Sequence, residues 1–265
     1  MQQAIDFLEE CKSLNAIVHT LDDIGVATHT QFLNWTIEDI VGHLHLFNHA
    51  AELALKDRQN FNSFFDPIAS DLNQGKSLLD VQKVWLKDID WPELLETWQT
   101  GYTKLAESFG IADPKHRLAW AGPDMSVRSS ATARQMETWA HGQAVFDVLG
   151  KTRMDQDRIK NIVHLGINTY GWTFSNRKLD IPDPAPFISL TAPSGAIWEW
   201  NEPQEDNVVH GSAVGFCQIV TQTRNVKDTD IQTTGTNAKN WMAMAQCFAG
   251  KPVDGPGEGE RYCQG

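Results

Sequence analysis

The sequence predicts a mainly α-helical protein that ends in a small α+β domain. Apolar residues recur at helical spacing through most of residues 2–178. The proline-rich segment 180–186 cannot continue a helix, and the alternating sequence FISLTAPSGAIWEW after it, with a Pro-Ser-Gly turn, is typical of a β-hairpin. We therefore expect an up-and-down helical bundle over residues 1–178, an α+β lobe over 187–250 and a flexible tail over 251–265.

Each part of this prediction rests on a local pattern. Helices long enough to pack as antiparallel neighbours are predicted over residues 2–21, 37–57, 78–88, 92–110, 127–150 and 155–177. After the hairpin, the same reasoning predicts a helix over 211–224, a short strand over 230–234 and a last helix over 237–248. A lobe of this size is marginal alone, so we expect it to pack on the bundle.

Composition narrows the function classes. With 22 basic and 34 acidic residues the formal charge is −12, and no basic cluster is present, so nucleic acid and anionic membranes are not expected partners. The amino terminus lacks the features of a signal peptide, which predicts a cytoplasmic protein. Four widely spaced cysteines argue against a disulfide framework or a thiolate zinc site. The ten tryptophans and the acidic surface are compatible with a homodimer.

Three histidines lie on the helix predicted over residues 37–57. Thr36 and Asp39 have the spacing of a capping box, which predicts that the helix begins at Ile37. At about 100° per residue, His43 then falls within the apolar face, and His45 and His49 fall on the opposite face. We interpret the second pair as solvated and expect His43 to point into the core.

A second helix brings two more polar groups toward the core. Glu137 and His141 are one turn apart on an apolar face of the helix predicted over 127–150, and Arg134 is assigned to its far side. A buried carboxylate needs a partner. A basic residue from another helix, a Glu–His hydrogen bond, or a divalent metal shared with His43 would each serve. Two histidines and one carboxylate leave an open position and suit zinc best, with iron, nickel and manganese as alternatives.

These residues carry a resemblance to a known family. Trp35-Thr36 followed by DIVGHL at residues 39–44 resembles the opening of the second helix in DinB-like metal-binding bundles, in particular the amino-terminal domain of mycothiol-dependent maleylpyruvate isomerases. Glu137-x-x-x-His141 is similar to the second ligand pair of that family, and the sequence WAGPDMSVRSSATARQMETWAHGQAVFDVLG resembles a branch described only as metal-binding. The resemblance covers most of the chain.

The resemblance implies a zinc site held by His43, Glu137 and His141, with a carboxy-terminal lobe covering it. In the isomerases an arginine from that lobe assists catalysis. The best match in this sequence is Arg224, at the end of the helix predicted from Gly211, although the TQTR ending departs from the usual apolar-Gly-Arg pattern. Arg224 is therefore our candidate for binding a substrate carboxylate.

An open metal position predicts an enzyme that acts on a small molecule. A low-molecular-weight thiol would allow isomerisation of, or thiol transfer to, a small unsaturated carboxylate or acyl compound. Metal-activated water would instead give a hydrolase of a small lactone, amide or thioester. His164 is a candidate general acid or base in either case. A non-catalytic metal-binding protein is the third alternative, although structural zinc sites normally have four Cys or His ligands.

Overall fold

The computed structural model describes residues 1–87 and 89–265. These residues form two compact units, Met1–Val145 and Phe146–Gly265. The mainly α fold class is confirmed, with a helical bundle followed by a small α+β region. The boundary between the units falls earlier than the predicted linker at 178–187, because the helices that precede the linker pack against helices that follow it.

The first unit is a helical bundle. Its elements are α1 Gln2–Val18, α2 Asp23–Val26, α3 Ile37–Lys56, α4 Arg58–Asn73, α5 Leu78–Leu86, α6 Trp91–Ile111, the short strands β1 Arg117–Leu118 and β2 Met125–Ser126, and α7 Val127–Val148, whose end lies in the second unit. Strands β1 and β2 pair antiparallel just before α7 begins.

Four long helices share the core of this bundle. Helix α6 packs against α1 and α3, and polar contacts between side chains join α7 to both α1 and α3. The interior is formed by large apolar side chains with essentially no exposure, among them Phe7, Leu14, Ile40, Leu44, Trp98, Leu105 and Trp139. Burying such side chains stabilises a domain by roughly 1.5–3 kcal/mol each. The polar groups on α3 and α7 are therefore held by a rigid frame.

The second unit combines helices with a four-stranded sheet. Its elements are α8 Lys160–Asn168, α9 Tyr170–Ser175, β3 Phe187–Thr191, β4 Ile197–Trp200, β5 Val208–Ser212, α10 Ala213–Val220, β6 Gln232–Thr234 and α11 Thr236–Met244. The strand order is β4-β3-β5-β6, in which β3 pairs parallel with β5 and the other pairs are antiparallel. Helices α8 and α9 pack against α10 and α11, respectively.

Several predicted elements need correction. Helix α4 was not predicted, because its Asp-Pro step and its asparagines are typical of loops, although Pro67 lies inside the observed helix. The predicted helix 155–177 is interrupted at Thr169, where the backbone leaves the helical region. The predicted helix 78–88 ends at Leu86, and its last predicted residue, Asp88, lies outside the described residues.

The helix predicted from Gly211 begins at Ala213, and residues 208–212 form β5 instead. Gly211 has φ +145, and a Cβ at this position would lie 2.9 Å from the carbonyl oxygen of Asp230. Ser212 then caps α10 by accepting a hydrogen bond from the backbone N–H of Gly215. A strand therefore ends directly at a helix cap, which the pattern of apolar residues alone did not distinguish from a longer helix.

The last fifteen residues, predicted as a flexible tail, follow the surface of the second unit. Asp254 forms an ion pair with Arg177 at 2.8 Å, and Glu258 forms one with Lys227 at 2.8 Å. The backbone N–H of Gln264 donates a hydrogen bond to the carbonyl oxygen of Asp147. No helix among the described residues combines the length and apolar character that a membrane span requires.

Candidate metal centre

The capping box at the start of α3 sets the orientation of its histidines. Thr36 Oγ1 accepts a hydrogen bond from the backbone N–H of Asp39 at 3.0 Å, and the Asp39 carboxylate accepts one from the backbone N–H of Thr36 at 3.0 Å. The helix therefore begins at the predicted residue, Ile37. Two turns later His43 points into the bundle, and only 5% of this residue is exposed to solvent.

Helix α7 brings a carboxylate and a second imidazole to the same place. Glu137 Oε2 lies 3.0 Å from His141 Nε2 and 3.7 Å from His43 Nε2. The two imidazole rings have a centroid separation of 4.5 Å, and the three possible ligand atoms all lie within 4.8 Å of one another. The structure therefore brings together the three residues that the sequence predicted as metal ligands.

Burial and hydrogen bonding keep His43 and Glu137 in the protonation states that a metal ligand needs. Burial, followed by the nearby His141, lowers the pKa of His43 to about 4, so this imidazole is neutral near pH 7. Burial would raise the pKa of Glu137, but the hydrogen bond from His141, the nearby His43 and the charge of Arg134 outweigh it and hold the pKa well below its usual value. The centre thus offers one carboxylate and a neutral imidazole from His43.

The residues fit a divalent metal. Ligands about 2.0–2.1 Å from a tetrahedral ion lie about 3.4 Å from one another, and the Glu137 oxygen is already at comparable distances from both Nε2 atoms. The Glu137 side chain is 25% exposed, which leaves a route for a small ligand. Mixed nitrogen and oxygen donors of this kind match zinc and the neighbouring first-row metals.

Aromatic side chains orient both imidazoles. Phe32 and Trp35 lie in the loop before α3, and Phe47 lies one turn after His43. The Trp35 ring is nearly parallel to that of His141 at 6.4 Å, whereas Phe32 meets the same imidazole edge to face at 4.8 Å. Neither His43 nor His141 has a hydrogen-bond partner for Nδ1 among the described residues. Ring contacts therefore replace the usual hydrogen bond that fixes a ligand histidine.

The loop that carries these rings has an unusual backbone. Leu33 and Asn34 both have positive φ, 51 and 59. Hydrogen bonds between Thr30 and Trp35 and from His29 Nδ1 to the carbonyl oxygen of Asn34 close the turn on both sides. Left-handed backbone at a non-glycine residue is uncommon and is found where the surrounding structure enforces it. No pattern in the sequence indicates where Phe32 lies.

The prediction that Arg134 lies on the far side of α7 is wrong. Arg134 is 2% exposed, and its Nε donates a hydrogen bond to Asn48 Oδ1 on α3 at 3.0 Å. Seven residues of an α-helix make nearly two full turns, so Arg134 shares a face with His141. The sequence spacing contains this signal. An inward arginine therefore accompanies the inward carboxylate, Glu137, on the same helix.

The interpretation of His45 and His49 as solvated also needs correction. Both point away from His43, but the aromatic side chains of α4 and α5 cover that face of α3. The His45 ring lies 5.1 Å from that of Trp85, and the His49 ring lies 5.0 Å from that of Phe64. Burial, followed by the charge of His49, lowers the pKa of His45 to about 4. The interpretation fails because it does not include α4, whose side chains cover part of this face.

The two predicted catalytic residues belong to the second unit. Arg224 follows α10, and its guanidinium forms an ion pair with Asp147 at 2.6 Å and donates a hydrogen bond to its neighbour, Thr223 O, at 2.8 Å. His164 lies on α8 with an exposed side chain, next to the buried Ile162 and Val163. Arg224 provides a cation and His164 provides an accessible imidazole, which are the kinds of group predicted for substrate binding and for acid–base catalysis.

Comparisons with known proteins connect this geometry to a family. The sequence profile described as the mycothiol maleylpyruvate isomerase N-terminal domain matches residues 7–146, which include all three candidate ligands. Two uncharacterized proteins of Mycobacterium tuberculosis, from strains CDC 1551 / Oshkosh and ATCC 25618 / H37Rv, are each 35% identical to this chain over 250 residues, or 94% of this chain and 96% of the relative.

The backbone is similar to the crystal structure of the mycothiol-dependent maleylpyruvate isomerase, with a TM-score of 0.56 and 12% identity over 88% of this chain and 91% of that one. A histidine-to-alanine mutant of that enzyme gives a TM-score of 0.55 at 13% identity, with the same coverage of both chains. The predicted DinB-like fold is thus confirmed. The profile match and the identity to the mycobacterial proteins together show that the chain belongs to the mycothiol maleylpyruvate isomerase N-terminal domain family.

Proposed function

We propose that this protein is a metal-dependent enzyme of the maleylpyruvate isomerase-like class. It isomerises a small unsaturated carboxylate, or transfers a thiol to such a compound or to an acyl substrate. The observation that carries the proposal is the convergence of His43, Glu137 and His141, whose ligand atoms lie within 4.8 Å of one another. Membership of the family supports the same class of reaction.

Zinc is the metal we propose, with iron, nickel and manganese as alternatives. His43, Glu137 and His141 would hold it through two nitrogens and one oxygen. When bound, such an ion lowers the pKa of a thiol or water at its open position and polarises a carbonyl group. Three protein ligands favour this use over a purely structural site, which normally has four.

The residues around the site have separate tasks. Glu137 supplies the negative charge that balances part of the charge of a cation, and its low pKa keeps it ionised. His43 stays neutral because it is buried, and with its proton on Nδ1 it would present the Nε2 lone pair to a metal. Phe32 and Trp35 pack against the two imidazoles and keep them in place. Arrangements of this kind reduce the reorganisation needed during reaction.

A low-molecular-weight thiol is the cosubstrate that we propose. The isomerase with a similar backbone is described as mycothiol-dependent. A thiolate that adds to a carbon–carbon double bond leaves a single bond about which the product can rotate. Loss of the thiolate then restores the double bond in the other configuration, and the thiol is recovered unchanged. Isomerisation therefore needs the thiol in catalytic amounts only, whereas thiol transfer consumes it.

Arg224 and His164 complete the proposal. We propose that Arg224 binds a substrate carboxylate through its guanidinium, in exchange for part of its contact with Asp147. His164 would act as a general acid or base, since its side chain is exposed to solvent. Arg224→Lys should retain part of the activity and Arg224→Gln should lose it, with the larger change in KM, because the task is binding rather than proton transfer.

The test is turnover of small unsaturated acids related to maleylpyruvate by the metal-loaded protein. We expect conversion that needs both metal and thiol, and that disappears in Glu137→Gln. Turnover that needs metal but is independent of thiol would replace this proposal with hydrolysis of a lactone, amide or thioester. A metal-loaded protein that converts none of these substrates, with or without thiol, would indicate a non-catalytic metal-binding protein.

A further inference from the structure

A buried arginine lies one helical turn before the acidic ligand. Arg134, Glu137 and His141 have the spacing i, i+3 and i+7 along α7, so they lie on one face of this helix. The guanidinium carbon of Arg134 is 5.8 Å from the centroid of the Phe47 ring, and that ring is 4.8 Å from the ring of His43. The cation is therefore fixed close to the candidate metal centre without being one of its ligands.

Among the residues that the structure describes, no carboxylate forms an ion pair with this guanidinium. Its Nε donates to Asn48 Oδ1, which is uncharged, and its Nη2 has no hydrogen-bond partner among the described residues. Asn48 Nδ2 is a second buried donor without a partner in that part of the chain. The Oε2 atom of Glu137 faces the two imidazoles. Glu137 acts on Arg134 through a longer-range charge interaction. In such poorly solvated surroundings the field of a cation is weakly screened.

A count of formal charges shows what this cation does. Glu137 contributes one negative charge and Arg134 one positive charge, while His43 and His141 bind a metal as neutral ligands. With both imidazoles neutral, as metal binding requires, these four residues carry no net charge, and a bound divalent ion raises the total to two positive charges. A neutral incoming ligand leaves this buried excess unchanged, whereas an anion reduces it. The more positive the surroundings are, the larger this preference becomes.

We propose that Arg134, held in place by Asn48, makes the centre select an anionic incoming ligand, a thiolate or a carboxylate, at a cost in metal affinity. Arg134 acts as a positioning residue through its field, because it is not one of the three proposed metal ligands. This inference rests on the proposed metal centre and adds the charge of the ligand that the centre takes. It predicts effects of opposite sign on the binding of metal and of anion.

Cobalt(II), whose visible absorption reports on its ligands, is the probe for both quantities. We would measure the affinity for Co²⁺ by competition with a chelator. The Co²⁺-loaded protein would then be titrated separately with 2-mercaptoethanol, with acetate and with neutral imidazole. For Arg134→Gln we expect Co²⁺ to bind about tenfold more tightly and the anions about tenfold more weakly, with the affinity for imidazole unchanged. A change for only one of the two anions would support the selection of that anion and refute it for the other.

Asn48→Asp is an independent variant of nearly the same size. It places a carboxylate against the guanidinium and neutralises Arg134 without a cavity, so both affinities should move in the same directions as in Arg134→Gln. Arg134→Lys keeps the charge and should resemble the unmodified protein. Arg128→Gln is the matched control, because it removes the same charge from an exposed position on the same helix and should leave both affinities unchanged.

The outcomes separate this inference from the proposed function. If the unmodified protein fails to bind Co²⁺, the metal centre itself is refuted and the role of Arg134 with it. If Co²⁺ binds but both variants weaken metal and anion together, Arg134 is a structural residue and the inference is refuted alone. Unchanged anion affinity in Asn48→Asp would also refute it, even if Arg134→Gln fails to fold.

Discussion

The two faces of α3 use the same side chain for different purposes. On the inward face, His43 meets a carboxylate and a second imidazole from α7. On the outward face, His45 and His49 meet the rings of Trp85 and Phe64 and no carboxylate within ion-pair distance among the described residues. The pKa of both His43 and His45 is lowered to about 4, with burial as the largest cause. A low pKa alone therefore does not distinguish a candidate ligand, whereas the convergence of His43 with Glu137 and His141 does.

The largest expected difference between the faces is in metal content. His43→Ala, His141→Ala and Glu137→Gln each remove one of the three ligands, and we expect metal affinity to fall at least about 100-fold. His45→Ala and His49→Ala should retain stoichiometric metal, since they change only the outward face. Elemental analysis of protein purified without added metal measures this. Metal retained in both His43→Ala and His141→Ala would exclude the proposed site.

Metal removal should affect stability through the inward face only. A ligand present at 100 times its Kd stabilises the folded state by about 2.7 kcal/mol, which corresponds to a rise in Tm of roughly 5–10 °C for a unit of this size. We expect Zn²⁺ to raise the Tm of the metal-free protein and of His45→Phe. Glu137→Gln should show no such rise in differential scanning calorimetry. An equal rise in Glu137→Gln would place the stabilising metal elsewhere.

The burial of His45 on the outward face should make the free energy of unfolding depend on pH. Between pH 6.5 and about 4 the unfolded chain binds a proton at His45 that the folded chain does not. The free energy of unfolding therefore falls as the pH falls through this window, by up to about 1.4 kcal/mol per pH unit. His45→Phe removes this contribution, so urea unfolding of the metal-free variant should show a smaller loss between pH 7 and pH 5.

His116→Gln serves as the control for this measurement, since His116 is exposed. It should lose the same amount of stability as the unmodified protein over the same pH range. The contribution of His43 is present in all three proteins and does not affect the comparison. If His45→Phe and the unmodified protein lose equal stability, the outward imidazole is not buried as described.

The smallest effect concerns the aromatic rings. Trp35 lies against both His43 and His141, so Trp35→Phe should loosen the orientation of two ligands and lower metal affinity by a few-fold. Trp85→Phe makes the same change on the outward face and should leave metal affinity unaltered. Chelator competition resolves differences of this size. Equal metal affinity in the two variants would show that ring contacts do not position the ligands.

Local chemistry made much of the candidate site predictable. The capping box of Thr36 and Asp39 located the start of α3, and hence the direction of His43. The one-turn spacing of Glu137 and His141 placed both on one face of α7. Their meeting with His43 followed because buried polar groups need partners. Signals of this kind lie within one helix and depend little on the rest of the chain.

What escaped prediction depends on contacts between distant segments. The outward face of α3 is predicted to be solvated because Pro67 and the polar residues around it do not predict the helix α4 that covers this face. The parallel pairing of β5 with β3 joins segments that are not adjacent in the sequence, so Gly211 and Ser212, the last two residues of β5, were predicted as the start of a helix. Arg134 was misplaced for a different reason, since its spacing from His141 was available and was misread.

The left-handed backbone conformations of Leu33 and Asn34 make the loop before α3 energetically unfavourable. Each such backbone conformation costs on the order of 1 kcal/mol or more, and the favourable packing of the rest of the fold offsets this cost. Mutations in the bundle that lower stability but leave His43, Glu137 and His141 intact should therefore disorder this turn before the whole chain unfolds. Weakened metal retention would then serve as an early sign of lost stability, detectable while the helical content is still normal.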